Sequence, residues 1–260
     1  MHEYTNLLVE RDGAVLRCTF NRPDRRNAVD DVMHQELVAF FQALSLDEEV
    51  RVVVLTGAGA AFCAGGDIGH MDDQFEKHDE GHRGLFRDGA NLVDAILRVR
   101  PPIIAQVNGD AIGLGASLAV LSDIIYMGAS ARLGDPHVKA GLVPGDGGLI
   151  AWPLLLPLNL AKELLFTGRL ISAEEAGRLG VANRVVADDD LASEVEELAN
   201  KLAALPQHAL QFTKRVLNKI LSERATYAID LGLAFEAVTL GTEDHQAAVS
   251  AFVARSRDAS

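Results

Sequence analysis

The chain has 260 residues, and 24 Lys and Arg against 37 Asp and Glu leave a formal charge of −13. With 48% apolar residues it is too hydrophobic to stay disordered and long enough to bury one substantial core. The acidity argues against nonspecific grip on a phosphate backbone, but a small anion can still be held by local arginines and oriented amides.

Two cysteines, Cys18 and Cys63, offer neither a disulfide framework nor a Cys-based zinc site. The first residues lack a signal-peptide pattern, and no apolar run reaches membrane-spanning length, so the expectation is a soluble, cytoplasmic protein.

In chain order, Asn6–Glu10 and Ala14–Phe20 read as strands joined by an Asp-Gly hairpin turn. From Asp30 the pattern turns helical, with Val32, Leu37, Phe41 and Leu44 on one face and Asp30 or Asp31 as the cap. Arg51–Leu55 is a β-branched run expected as a buried strand. The polar segment His70–Gly89 reads as a surface stretch, followed by a helix through Leu97. Ile103–Val107 and Ile124–Met127 are further short strands, and Gly113–Leu121 is small and apolar enough for a buried helix between them. Ser172 and Glu175 match a capping box, Arg184–Val186 is a last strand, and amphipathic helix follows from Leu191 with a break at Pro206.

Two Gly-rich turns stand out: Ala61–Ile68 and Val107–Ser117. Small residues between strand and helix leave backbone N–H groups free to bind an anion or a polarised carbonyl oxygen. Equally, such turns serve close helix–strand packing. Other motif readings are weaker. Leu118 stands where a dinucleotide fingerprint needs its third glycine. His78 and His82 sit in a charged stretch that reads as solvated surface rather than a metal site, and no metal is expected. Cys63 reads as a small packing residue.

In one order the chain carries Asn21-Arg22-Pro23-Asp24-Arg25-Arg26-Asn27-Ala28, then Phe62-Cys63-Ala64-Gly65-Gly66-Asp67-Ile68. After these come Asn108-Gly109-x-Ala111-x-Gly113-x-Gly115 and Gly141-Leu142-Val143-Pro144-Gly145. Leu165–Gly168 and Ala173–Gly180 continue the register. The sequence thereby resembles the crotonase (enoyl-CoA hydratase/isomerase) superfamily along essentially its whole length.

The resemblance implies an α/β fold, a ββα spiral core over residues 1–200 with a C-terminal helical region over 201–260 used for oligomerisation. A homotrimer or dimer of trimers would follow. It further implies a CoA thioester substrate, with coenzyme A as part of the substrate and no prosthetic group. The thioester oxygen would lie on the N–H groups of Gly66 and Leu114, the latter replacing the usual glycine. Arg25, Arg26, Ala28, Ala64, Asp67 and Ile68 would line the nucleotide end of CoA.

The two glutamates of the family's hydratases should fall at Ser117 and His137, and both are absent. Ser117 could hold a water or simply pack, and packing is the preferred reading. His137 is followed nine residues later by Asp146, a histidine and carboxylate suited to acid–base work, with Asp146 orienting the ring. Asp146 could instead merely cap the following helix. The His/Asp pattern, with Trp152-Pro153 after it, is similar to the β-diketone hydrolase branch typified by 6-oxocamphor hydrolase. Three functions therefore stand open: an enoyl-CoA hydratase or isomerase using His137, a carbon–carbon hydrolase of a β-dicarbonyl substrate, and a non-catalytic acyl-CoA binder.

Overall fold

The computed structural model describes residues 4–67 and 89–258. Ile68, His78, His82 and nearly all of the His70–Gly89 segment lie outside the described residues. The Asp-Gly turn closes a hairpin of β1 (Leu7–Asp12) and β2 (Val15–Phe20). Asp30 caps α1 (Asp31–Leu46) by accepting the Met33 N–H at 2.8 Å. The buried stripe of α1 is Met33, Leu37, Phe40, Phe41 and Leu44, whereas Val32 is half exposed. The sequence reading of Val32 as a stripe member is corrected by one position, because Met33 and Leu37 are four apart and Val32 and Leu37 are five.

The main sheet has the order β1-β2-β3-β5-β7-β10, parallel from β2 onward, with β3 at Val52–Gly57, β5 at Ile103–Val107, β7 at Ile124–Gly128 and β10 at Arg184–Val186. Its central strands are covered on both faces, which explains their near-continuous apolar runs. Val53, Leu55, Ile103, Ala105 and Val107 point into the main core. The alternate residues Val52, Val54 and Ile104 meet Leu191, Val195 and Ala199 of α7 (Leu191–Ala203; α2–α6 are assigned below) on the other side.

A second sheet was not legible in the sequence. It consists of β4 (Ala61–Cys63), β6 (Asp110–Ile112) and β8 (Arg132–Gly134), all parallel, with β9 (Ile171–Ser172) antiparallel at the edge. Two of these strands lie inside the stretches read above as turns. The consequence is positional: three parallel strands deliver their carboxyl ends to one edge, and residues 64–67, 113–114 and 135–137 follow them directly. In α/β sheets that edge is where ligands are bound.

The helices close around this frame. Residues 89–98 are helical (α2), and α3 (Leu114–Val120) is entirely buried. Next come α4 (Gly148–Leu155), α5 (Leu158–Thr167) and α6 (Ala173–Arg178), the last capped by Ser172 Oγ accepting Glu175 N–H at 3.1 Å. The chain ends in α8 (Gln207–Leu240) and α9 (Glu243–Asp258). Buried Lys214 fastens α8 to the core, donating to the Pro101 carbonyl at 2.8 Å and pairing with Asp123 at 2.6 Å, while Asn218 donates to Leu97 O at 3.0 Å. Among the described residues no helix is long and apolar enough to cross a membrane.

Candidate active site

The two Gly-rich turns meet. Gly113 has φ 55° and ψ −122°, a conformation open to glycine but not to residues with a Cβ. A Cβ there would lie 3.8 Å from Gly65 Cα and 3.4 Å from His137 Cε1. Those are ordinary contact distances, so the backbone conformation rather than lack of space is what calls for glycine at 113. The Gly113 N–H in turn donates to Gly134 O at 3.0 Å, tying this turn to the end of β8.

The amide of Gly66 is presented by a single parallel bridge between Val29 and Gly66. Val29 N–H donates to Gly65 O at 2.8 Å, and Asp67 N–H donates to Val29 O at 2.9 Å. In such a bridge the middle residue turns its own N–H away from the partner strand. Leu114 opens α3, so its N–H belongs to the first helical turn and has no intrahelical acceptor. Among the described residues, the Gly66 and Leu114 N–H groups thus lie on adjoining turns, one turned away from its bridge partner and the other without an intrahelical acceptor.

His137 follows β8 and faces three carboxylates. Nδ1 contacts Asp135 Oδ1, which also accepts the His137 backbone N–H at 3.3 Å. Nε2 lies 3.4 Å from Asp146 Oδ2. This differs from the sequence reading, in which Asp146 alone oriented the ring. Asp135, with 1% of its side chain open to solvent, is the orienting group behind the imidazole. His137 at 14% and Asp146 at 15% are the members that remain reachable.

Ser117 is fully buried, as a packing residue would be, and its Oγ also donates to Asp146 Oδ1 at 2.9 Å, a contact the sequence did not suggest. Asp146 also accepts the Gly148 N–H at the start of α4, so capping that helix and facing His137 are compatible. Glu236 of α8 completes the cluster. It is 4% exposed, and a Cβ on Gly145 would lie 2.5 Å from its Oε2, so the absence of a side chain at Gly145 lets α8 approach.

The electrostatics follow from burial and these charges. Burial pulls His137 down, but Asp135 and Asp146, with Glu236 adding to them, push its pKa up to about 10. The ring is therefore held as an imidazolium at neutral pH, which favours the acid of the two acid–base roles the sequence left open. Burial raises Asp146, against the charge of His137 and the Ser117 hydrogen bond. Burial also raises Glu236, to about 8, with His137 opposing and the two aspartates adding. Cys63 is buried, and its thiol is pushed up to about 12, in keeping with a packing role.

A stability prediction arises here. Glu236 moves from 4.5 to about 8, so between those pH values the unfolded chain sheds a proton that the folded chain keeps. Stability should fall as pH rises through that window. His137, raised from 6.5 to about 10, contributes stability in full below 6.5 and loses it as pH approaches 10. In Glu236→Gln the first slope should vanish, leaving the second. Thermal unfolding from pH 5 to 9 checks this: the variant should gain on the wild type up to about pH 8 and run parallel to it above, and curves parallel below pH 8 would contradict it.

Among the described residues, the group with metal-ligand spacing is Asp135, His137 and Asp146, whose candidate ligand atoms lie within 4.8 Å of one another. The two aspartates sit on opposite ring nitrogens, an arrangement for proton transfer, and an ion on either nitrogen would displace one of them.

The residues assigned to the nucleotide end are partly brought together. Arg26 O accepts Ala64 N–H at 3.0 Å, which sets residues 26–29 beside 64–67, with Ala28 buried. Arg25 and Arg26 are exposed, and Arg26 reaches Asp110 at 2.8 Å, a carboxylate also gripped by Arg132. Asp67 is turned toward Arg22 at 3.1 Å instead of outward.

Comparison with known proteins gives consistent results. Residues 10–258 match the family model described as Enoyl-CoA hydratase/isomerase. A short-chain-enoyl-CoA hydratase of Clostridium acetobutylicum is 35% identical over 257 residues, covering 96% of this chain and 95% of that protein. The crystal structure of an enoyl-CoA hydratase/isomerase from Mycobacterium paratuberculosis superposes with TM-score 0.91 at 43% identity, covering 96% of this chain and 99% of that one. A β-diketone hydrolase from the cyanobacterium Anabaena, bound to (S)-3-oxocyclohexyl acetic acid, gives TM-score 0.83 at 31% identity, with 91% and 94% covered.

Proposed function

The chain belongs to the enoyl-CoA hydratase/isomerase family, and from that premise we propose that it hydrates or isomerises an acyl-CoA thioester with His137 and Asp146 as its acid–base pair. The observation that carries the reading is the 3.4 Å approach of His137 Nε2 to Asp146 Oδ2, both partly open, beside the turn that bears the Leu114 amide. The Gly66 and Leu114 N–H groups hold the thioester oxygen and stabilise the enolate that forms there.

In hydration, the Asp146 carboxylate takes a proton from water as its oxygen bonds to the β-carbon. The electron pair of the double bond moves into the enolate. The His137 imidazolium then gives its Nε2 proton to the α-carbon, and transfer from Asp146 to Nε2 restores the pair. Asp135 holds the ring, and Ser117 aims Asp146. The nucleotide end of CoA would be met by Arg25 and Arg26 with Ala28, Ala64, Asp67 and Ile68.

A second reading, favoured by the likeness to the Anabaena β-diketone hydrolase, uses the same groups. Asp146 would deprotonate water attacking one carbonyl carbon, the bond to the central carbon would break toward an enolate held by the two amides, and His137 would protonate that carbon. Turnover in oxygen-18 water separates the two. Hydration places the label in a hydroxyl on the β-carbon, whereas cleavage places it in a new carboxylate. Tight binding of acyl-CoA without conversion of any enoyl-CoA or β-dicarbonyl would overturn both readings and leave a binder.

The same reading includes assembly. One helix, α8, leaves Phe212, Val216, Ile220, Tyr227, Leu231 and Phe235 more than half exposed. Apolar patches of that kind mark contact surfaces, in keeping with a homotrimer or dimer of trimers.

A further inference from the structure

We propose that Arg22 is a positioning residue for the Gly66 amide, a role that rests on the oxyanion site described above. The bridge that presents Gly66 is one residue pair with two backbone hydrogen bonds, from Val29 N–H and from Asp67 N–H, and the flanking Ala64 N–H adds one to Arg26 O. A pairing so short does not hold a loop to a fraction of an ångström by itself.

Arg22 supplies a side-chain constraint at the Gly66 end of the pairing. Its Nη1 donates to the Ala28 carbonyl, while Nη2 lies 3.0 Å from Asp30 Oδ2 and 3.1 Å from Asp67 Oδ2. The guanidinium therefore binds both strands of the bridge, one residue to either side of Val29 and one residue beyond Gly66. Its planar fork suits this, because several N–H groups leave one rigid plane in fixed directions.

The clamp is anchored at both ends. The Arg22 backbone N–H donates to Asn27 Oδ1 at 2.9 Å, and Arg22 O accepts Asn27 N–H at 2.9 Å, with Asn27 wholly buried. Asp30 is meanwhile the cap of α1, so the clamp ties the amide-bearing turn to a helix. The three charged side chains are 15–21% open, which shields the pairs from solvent more than surface pairs are.

Without the guanidinium, Asp30 and Asp67 would face each other with no charge between them. Their repulsion would push residues 65–67 off the 28–30 segment and carry the Gly66 N–H with them. A misplacement of about 1 Å at a catalytic group costs on the order of 10²-fold in rate.

The test uses Arg22→Gln and, because that variant also loses a partly buried charge, the isosteric Asp67→Asn, which breaks one arm. The probe is butyryl-CoA carrying carbon-13 at the carbonyl, observed by infrared difference spectroscopy, alongside turnover. The wild type should shift the bound carbonyl to lower frequency. Both variants should return it toward the solution value and lower kcat by roughly 10–10²-fold, and in Arg22→Gln the probe affinity should change by less than about 3-fold. Arg22→Lys, which keeps the charge but not the fork, should recover only part of the shift. A full shift with full turnover in both Arg22→Gln and Asp67→Asn would overturn the positioning role. No shift in the wild type would instead overturn the oxyanion site itself, and this proposal with it.

Discussion

His137→Gln is expected to lower kcat by roughly 10²–10⁴-fold, the usual range for a group that transfers a proton in the transition state. Glutamine is preferred to alanine because it can still place an N–H group near Asp146 without delivering a proton. Both substitutions remove the positive charge, but alanine would also leave Asp135, with 1% of its side chain open, without any side-chain donor from position 137, and would confuse instability with lost catalysis. The loss should appear in kcat more than in KM, since the carbonyl oxygen is held elsewhere. The pH profile carries the second half of the prediction. An acid raised to about 10 gives an alkaline limb near that value, and Asp135→Asn, which removes the first of the raising charges, should move the limb downward by about one unit or more. Turnover within about 3-fold of wild type in His137→Gln would end the proposed role.

What was legible in the sequence follows a physical line. The strands at Val52–Gly57 and Ile103–Val107, the Asp30 cap and the Ser172 box are local patterns, set by neighbours along the chain. The β4-β6-β8 array was not, because three-residue strands carry no usable period and each pairs with a segment 20 or more residues away. That array brings the turns together, so their common purpose could be reached only through the resemblance.

The acid–base cluster divides in the same way. His137 stood out because it falls where a glutamate was expected, and Asp146 because it follows nine residues later. Asp135 stands two residues from His137, yet nothing in a linear reading says which of two aspartates meets Nδ1. Glu236 had a fainter signal. It continues the buried stripe of α8 through Ala225, Ile229, Gly232 and Leu233, where an acid is out of place. Its partners lie some ninety residues upstream, and only the tertiary fold makes the connection. The raised pKa of His137 belongs to the same class of fact, since it depends on three carboxylates drawn from three elements.

Leu114→Pro is expected to lower kcat by roughly 10²–10³-fold, the loss recorded when one oxyanion donor is removed, while leaving the fold in place. Leu114 is the first residue of α3, the position at which proline is accommodated because its N–H has no helical acceptor to lose. Gly113 before it has φ 55° and ψ −122°, near the mirror image of the extended conformation that residues preceding proline adopt, and glycine alone takes it without strain. The substitution therefore deletes one N–H and the outer carbons of the leucine.

The second loss needs its own control, since Leu114 is 8% exposed and packs in the main core. Leu114→Ala removes a similar volume and keeps the amide. Both variants should lose stability, by about 2–5 kcal/mol for a buried leucine truncation, so their thermal unfolding should be similar. Their kinetics should part: the alanine variant should stay within about 10-fold of the wild type, and the proline variant should fall well below it. Equal kcat values for the two would mean that the Leu114 amide does not touch the reacting oxygen. They would also explain why this position could exchange the family's glycine for a leucine.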